Sequence, residues 1–258
     1  MKLIWTYNYH ANVGSKVGFH TEERRIIMMN YYILSIRAAK ELGYYCIVYC
    51  DETYKYIFDS IADEVNLIHP EYKNSVLWDT YKLLALEDRT DDGEYCLIDG
   101  DLILKRKLPP FKHTLVFDSY EITNWNETYK NVVNQMAHHG IKDNVPEWSV
   151  ERVPVISYGI LYISNSKVKK LFVDRWQKCN ELVHKHIDIM DTDRATLVNG
   201  QYLLTILANH YDIPTKQLTG RVGDDNDYYK HHCGSLKYNN PIVPTDHIID
   251  FDAKKIVV

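Results

Sequence analysis

Tyr95–Leu104 reads YCLIDGDLIL, and the placement of its two aspartates decides how the rest of the chain is read. Cys96, Leu97 and Ile98 form an apolar run of the kind buried in a sheet. Asp99 and Asp101 then flank Gly100, and Leu102 to Leu104 return at once to apolar character. A solvated turn rarely has core residues on both sides. Two carboxylates this close raise each other's pKa unless a cation lies between them. The stretch therefore predicts a hard-oxygen site, suited to magnesium or manganese, where a buried strand emerges.

The residues before it alternate between strand and helix. Lys2 to Tyr7 is an apolar strand, followed by a polar loop with Gly14 and Gly18 that runs through His20. A helix is predicted from near Thr21, with Ile26, Met29, Ile33 and Ile36 at helical spacing and Gly43 just past its end. YYCIVYCD, 44–51, is a continuous apolar run, the type found in a sheet covered on both faces. A short helix over Tyr54 to Ala62, a strand over Val65 to Ile68 and a helix over Val76 to Leu86 complete the approach to Asp99. This order implies an α/β fold with a mostly parallel central sheet and helices on both faces, in which ligands bind at the carboxyl ends of strands.

Beyond Pro109 and Pro110 the pattern is less regular. HTLVFD, 113–118, predicts a strand, and Ser119 to Val150 is polar with a helix near Tyr129 to His138. VPVISYGILYIS, 153–164, is a second strong strand in which Gly159 leaves room for a close approach to the backbone. Helices are predicted over Lys167 to Val183 and over Ala195 to Asn209, the latter preceded by the capping run Asp191, Thr192, Asp193. The polar, His-rich stretch from Gly223 to Asn240 is predicted to be a loop.

The 258 residues carry a 45% hydrophobic and 25% charged composition, sufficient for a large core. No Pro/Gly/Ser linker divides them, so a single domain over 1–258 is expected. The net charge of -5 argues against a nucleic-acid partner. Five scattered cysteines show neither a disulfide framework nor zinc spacing. MKLIWTYNYH is too short an apolar run for a signal peptide, and no later run reaches the roughly 20 residues of a membrane span. A soluble, cytoplasmic protein without an integral membrane segment is expected.

A second motif, HHCGSLK, places His231, Gly234 and Lys237 at fixed intervals. An imidazole can complete a manganese site begun by carboxylates, a glycine lets a loop close over a diphosphate, and a lysine supplies it a point charge. LIDGDLIL, SYGILYIS, a helix carrying Gln201 and His-x-x-Gly-x-x-Lys, in that order, resemble the GT-A glycosyltransferases, and most of all family 8, the glycogenin and bacterial galactosyl- and glucosyltransferase type. The resemblance spans the chain from the first strand to about Tyr238, apart from Ser119 to Val150.

The resemblance implies a GT-A domain with a nucleotide-binding half over about 1–110 and a sugar and acceptor half over about 111–258. It implies that Asp99, Asp101 and His231 hold Mn2+ or Mg2+, that Lys237 and Gly234 bind the diphosphate, and that Thr6, Tyr7 and Asn8 form the base loop. Lys82, in DTYKLL, would brace the nucleotide and the carboxylate pair, and Gly159 would lie beside the donor sugar, with Tyr158 where a small polar residue is common. Asp101, Gln201 and Lys237 are the residues it places at the chemistry. The implied activity is metal-dependent hexosyl transfer from a nucleotide sugar, UDP-linked, with retention of configuration. The acceptor would be a glycan, a lipid-linked intermediate or a protein side chain, and a homodimer is compatible.

One position departs from the pattern. Family members carry an Asp before the Gln, and here Gly200 stands there; Asp191, Asp193 and Asn199 are substitutes among which spacing does not choose. That departure supports an alternative, a nucleotide-sugar or carbohydrate binding protein of the same fold with weak or no activity. An Asp-x-Asp phosphohydrolase fits less well because Leu102 and Ile103 follow the pair, deep in the chain. A nucleotidylyltransferase lacks its glycine-rich, basic first loop.

Overall fold

In the computed structural model, residues 1–7, 22–68, 77, 79–91, 93–121, 125–220, 223–232, 248–250 and 255–257 are described. β1 (Lys2–Tyr7) runs through the middle of the sheet, buried from Leu3 onward. α1 (Glu22–Glu41) follows; Thr21, its expected cap, lies outside the described residues. Met29, Ile33 and Ile36 of α1 are buried and Ile26 is half-buried. The helix ends in a Schellman motif, with Tyr44 N–H donating to the Ala39 carbonyl at 3.1 Å and Gly43 N–H to Lys40 at 2.8 Å.

β2 (Tyr45–Cys50), α2 (Lys55–Phe58) and β3 (Glu64–Leu67) come next, then α3 (Thr80–Asp88) and β4 (Tyr95–Ile98). The helix expected over Tyr54 to Ala62 is a single 3-10 turn, Glu52–Tyr54, running into α2. β5 (Leu102–Leu104) and β6 (Leu115–Glu121) are followed by a π turn at Trp125–Tyr129, α4 (Lys130–His138), β7 (Val155–Ile163) and α5 (Ser166–Lys185). The helix expected over Ala195 to Asn209 extends from Thr192 to His210, but as α6 (Thr192–Leu197) and α7 (Leu203–His210) with a π turn, Val198–Tyr202, between them. β8 (Thr215–Gln217), β9 (Tyr229–His231), β10 (Ile248–Asp250) and β11 (Lys255–Val257) complete the order.

Seven strands form one sheet in the order β3-β2-β1-β4-β7-β6-β8. Four of the six neighbouring pairs are parallel, as expected of a mixed α/β fold, while β7 runs antiparallel to both β4 and β6. Both faces are covered. On one, Met29, Ile33 and Ile36 of α1 pack against Leu3, Trp5, Val48 and Ile160. On the other, α3, α5 and α7 bring Leu83, Phe172, Trp176 and Leu203 against Ile4, Ile47, Phe117 and Leu161. Burying continuous apolar strands between two helical layers is the main stabilising term.

The tract expected to be a loop from Gly223 contains β9, which pairs antiparallel with β5. Tyr229 and His231 are buried there while Lys230 is half-buried, an alternation of only three residues and too brief to read as a strand. The register sets Leu102 opposite His231, and His232 N–H donates to the Asp101 carbonyl at 2.9 Å. β5 itself is pinned by a buried relay in which Trp5 Nε1 donates to Ser35 Oγ at 2.9 Å and Ser35 donates to the Leu102 carbonyl.

Candidate active site

β4 ends at Ile98, opposite Ile160 of the antiparallel β7, and Asp99 N–H donates to the Gly159 carbonyl at 2.8 Å. The turn through Gly100 then carries Asp101 into β5, beside His231 of β9. Asp99, Asp101 and His231 offer ligand atoms that lie within 4.8 Å of one another, the one such group among the described residues. His231 Nε2 is 3.3 Å from Asp101 Oδ1 and 3.6 Å from Asp99 Oδ2. Asp101 and His231 are buried, while the Asp99 side chain is 26% exposed and marks the open side of the group.

The second ring nitrogen of His231 is also fixed. Asp118 Oδ2 lies 2.8 Å from His231 Nδ1, and Tyr229 donates to Asp118 Oδ1 at 2.5 Å. Asp118 sits where the β6–β7 register shifts between Phe117 and Ser119, a bulge that re-aims a side chain. A carboxylate behind a histidine orients the other nitrogen toward a metal and raises its basicity. Two carboxylates and one such imidazole, open on one side, suit a divalent cation that accepts both oxygen and nitrogen, manganese better than magnesium. The residues present therefore fit the metal that the resemblance implies.

Gly159 is needed here for space: a Cβ would overlap His231 Cε1 and lie 2.7 Å from its Nδ1. Burial would lower the His231 pKa, but the facing Asp101, Asp118 and Asp99 carboxylates outweigh it and hold the ring well above its ordinary value. Burial would likewise raise Asp99, yet Lys82 and His231 hold it below the usual carboxylate range. Lys82, on α3, forms an ion pair with Asp99 and lies 4.5 Å above the ring of Tyr158.

On the other face of β7, Tyr158 donates to Asp79 Oδ2, and both side chains crowd against Gly200. Gln201 follows in the π turn, whose carbonyl accepts from Thr205 Oγ1 at 2.8 Å; Thr205 Oγ1 in turn accepts from Ile156 N–H of β7. Tyr129 Oη lies 2.7 Å from the Gln201 amide and 2.6 Å from Glu121 Oε2. One hydroxyl proton satisfies both contacts when the amide presents its NH2 to Tyr129 and Tyr129 donates to Glu121. Interruptions of this π kind recur at functional sites.

Thr6 and Tyr7 lie at the carboxyl end of β1. The Thr6 carbonyl accepts from Tyr32 at 2.7 Å, and a Cβ on Gly100 would overlap the Tyr32 ring, which connects this corner to the Asp99–Asp101 turn. Tyr7 packs edge-on against Tyr32 and Tyr54. Asn8, Gly234 and Lys237 lie outside the described residues. His232 sits near Tyr31, ring centroids 5.2 Å apart, and is not in the group of possible metal ligands.

Sequence reasoning missed Asp118 and Asp79. Asp118 closes HTLVFD and resembled an ordinary strand end; only the bulge turns it toward His231. Asp79 stands three residues before Lys82, and nothing in DTYKLL signals that its side chain reaches Tyr158. Of the three substitutes weighed for Gly200, Asp191 accepts from Arg194 N–H at 3.1 Å as the cap of α6, and Asn199 donates to Asn180 at 3.4 Å.

No family profile matches the chain, and no curated protein matches it. Among solved structures it is similar to the glycosyltransferase GlyE of Streptococcus pneumoniae TIGR4 at 12% identity, covering 84% of this chain and 45% of that one, with a TM-score of 0.44. It is also similar to the galactosyltransferase LgtC in complex with donor and acceptor sugar analogs, at 13% identity, 77% and 70% coverage and a TM-score of 0.43. Mouse xyloside xylosyltransferase 1 gives 10% identity, 84% coverage of both chains and a TM-score of 0.41. The chain spans under half of GlyE and more of the other two. Likeness at this level defines neither a family nor an activity.

Proposed function

We propose that the chain is a metal-dependent glycosyltransferase of the GT-A type that moves a sugar, of the hexosyl class, from a UDP-sugar to a hydroxyl acceptor. The observation that carries this reading is the convergence of Asp99, Asp101 and His231 at the carboxyl end of β4, with Asp118 behind the histidine and Lys82 against Asp99. Such a group has no evident structural purpose, since it concentrates like charges in a half-buried corner.

Asp99, Asp101 and His231 would hold the cation, manganese in preference to magnesium. When bound, it supplies positive charge for a leaving diphosphate. Thr6, Tyr7 and Asn8 would hold the base at the end of β1, and Gly234 and Lys237 would close over the diphosphate. Gly159 and Gln201 would border the sugar. In transfer, the bond from the anomeric carbon to the diphosphate oxygen breaks with its electron pair going to the diphosphate. The acceptor oxygen bonds to that carbon and its proton passes to the departing oxygen, which gives retention when both lie on one face. Lys237 and Lys82 would offset charge as it grows on the diphosphate side.

UDP release from UDP-glucose and UDP-galactose, with and without EDTA and added manganese, tests the reading. Release that EDTA stops and manganese restores is expected; full release in EDTA would falsify the metal role. Binding of UDP with manganese but no release from any UDP-sugar would favour the binding-protein alternative, for which the glycine at 200 is the supporting feature. An EDTA-sensitive transferase acting from the cytoplasm on a glycan, lipid-linked or protein acceptor, as a monomer or homodimer, is consistent with the site. No helix among the described residues is long and apolar enough to cross a membrane.

A further inference from the structure

Gly200 has no side chain, yet the space a side chain would use is filled. A Cβ there would overlap Tyr158 Oη and lie 2.5 Å from Asp79 Oδ2. A carboxylate therefore stands at position 200 in space, although it comes from residue 79 in sequence.

Asp79 has no structural purpose that accounts for its charge. It occupies the N-cap position of α3, where an aspartate ordinarily accepts from the first turn, and its side chain makes no such bond. Its residue is 1% exposed, Oδ2 accepts from Tyr158, and Oδ1 has no hydrogen-bond partner among the described residues. A buried carboxylate oxygen without a donor costs stability, so this one is a candidate for a donor that a ligand brings. The chain Asp79, Tyr158, Lys82, Asp99 links it to the metal corner.

We infer that Asp79, delivered from the start of α3, replaces the carboxylate absent at position 200 and accepts a hydrogen bond from a hydroxyl of the donor sugar through Oδ1. The inference rests on the nucleotide-sugar reading of the site. Asp79 forms no covalent bond in this account. In its ionised form it sets a negative charge toward the sugar while the bond to the diphosphate lengthens and positive charge grows on the ring, where such a charge is most effective. Tyr158 is a positioning residue, because its hydroxyl holds Oδ2 and leaves Oδ1 free to turn to the ligand. Asp191, Asp193 and Asn199 are then not required for this role.

The test compares the wild-type chain with Asp79→Asn, both loaded with manganese. Calorimetry gives affinities for UDP, UDP-glucose and UDP-galactose, and UDP release gives kcat. Asp79→Asn should bind UDP within about threefold of wild type, lose about tenfold in the preference for UDP-sugar over UDP, and lose about 100-fold in kcat. Sodium formate should restore part of kcat to Asp79→Ala and leave the wild type unchanged, a rescue that a purely structural role would not show. Thermal melts report whether each variant is folded. Should neither Asp79 variant fold, Tyr158→Phe serves with the same readouts and an expected loss of about tenfold in kcat.

An Asp79→Asn chain that keeps both its sugar preference and its kcat within about threefold overturns the inference and leaves the transferase reading standing. A wild-type chain that neither binds UDP with manganese nor releases UDP overturns both.

Discussion

Glu147 and Asp101 are both buried carboxylates, and their surroundings are opposite. Glu147 receives Arg175 through Nε at 3.0 Å and Nη2 at 3.1 Å, and Tyr211 donates to it at 2.6 Å. Burial would raise its pKa, but these partners outweigh it and hold the carboxyl below its ordinary value. Asp101 shares the His231 imidazole with Asp99 and Asp118, and Lys82 pairs with Asp99. One cluster brings its own countercharge within bidentate reach and needs nothing further. Among the described residues, the other sets three carboxylates around one imidazole and one lysine, a group that a divalent cation would suit. Whether a buried charge is structural or functional thus depends on who supplies its partner.

The largest effect should come from breaking the satisfied cluster. Glu147→Ala takes the buried partner from Arg175, which keeps Asp174 at 2.6 Å, and stability should fall by about 3 kcal/mol in urea unfolding, the low end of the range for a broken buried pair. Manganese binding by the folded fraction should be unchanged. Loss of metal binding there would show that the two clusters are not independent.

A smaller and opposite effect is expected at Asp79. Burial pushes this carboxyl from 3.8 up to about 7, with Tyr158 and Lys82 only partly offsetting it. The folded state therefore holds the proton more tightly than the unfolded chain. Stability from this group is greatest below about pH 4, falls as pH rises toward about 7, and is flat above. Asp79→Asn removes the penalty, so it should be more stable than wild type by on the order of 2–3 kcal/mol near pH 8 and no more stable near pH 4. Melting curves at the two pH values check the sign; an advantage at low pH alone would contradict it.

Much of this frame is legible in the residues. β1, β2 and β7 are continuous apolar runs, and the flanks of Asp99 and Asp101 already set the pair at a strand end. The direction of β7 is not, since a fully buried strand has the same composition whichever way it runs. β9 is three residues long and depends on pairing with β5, a contact made across more than a hundred residues. The role of Asp118 depends on a bulge, and that of Asp79 on the glycine at 200 leaving a hole. Tertiary contacts of this kind leave no local periodicity to read.

Three further substitutions bear on the proposed metal corner. Gly159→Ala adds a Cβ against His231 and Asp118 and should weaken manganese binding about tenfold, at a cost in stability of about 1–3 kcal/mol. His232→Ala should alter manganese affinity by less than about threefold, against a loss of about 100-fold or more for His231→Ala, since only the latter removes a ligand. Equal effects at the two histidines would show that the wrong ring had been placed in the site.

Electron paramagnetic resonance of Mn2+ titrated into the chain with UDP present tests directly whether Asp99, Asp101 and His231 form a cation site. One manganese per chain should lose its free-ion signal with the wild type, and the signal should persist with Asp101→Asn. Equal uptake by the two proteins, or none by the wild type, would contradict the account.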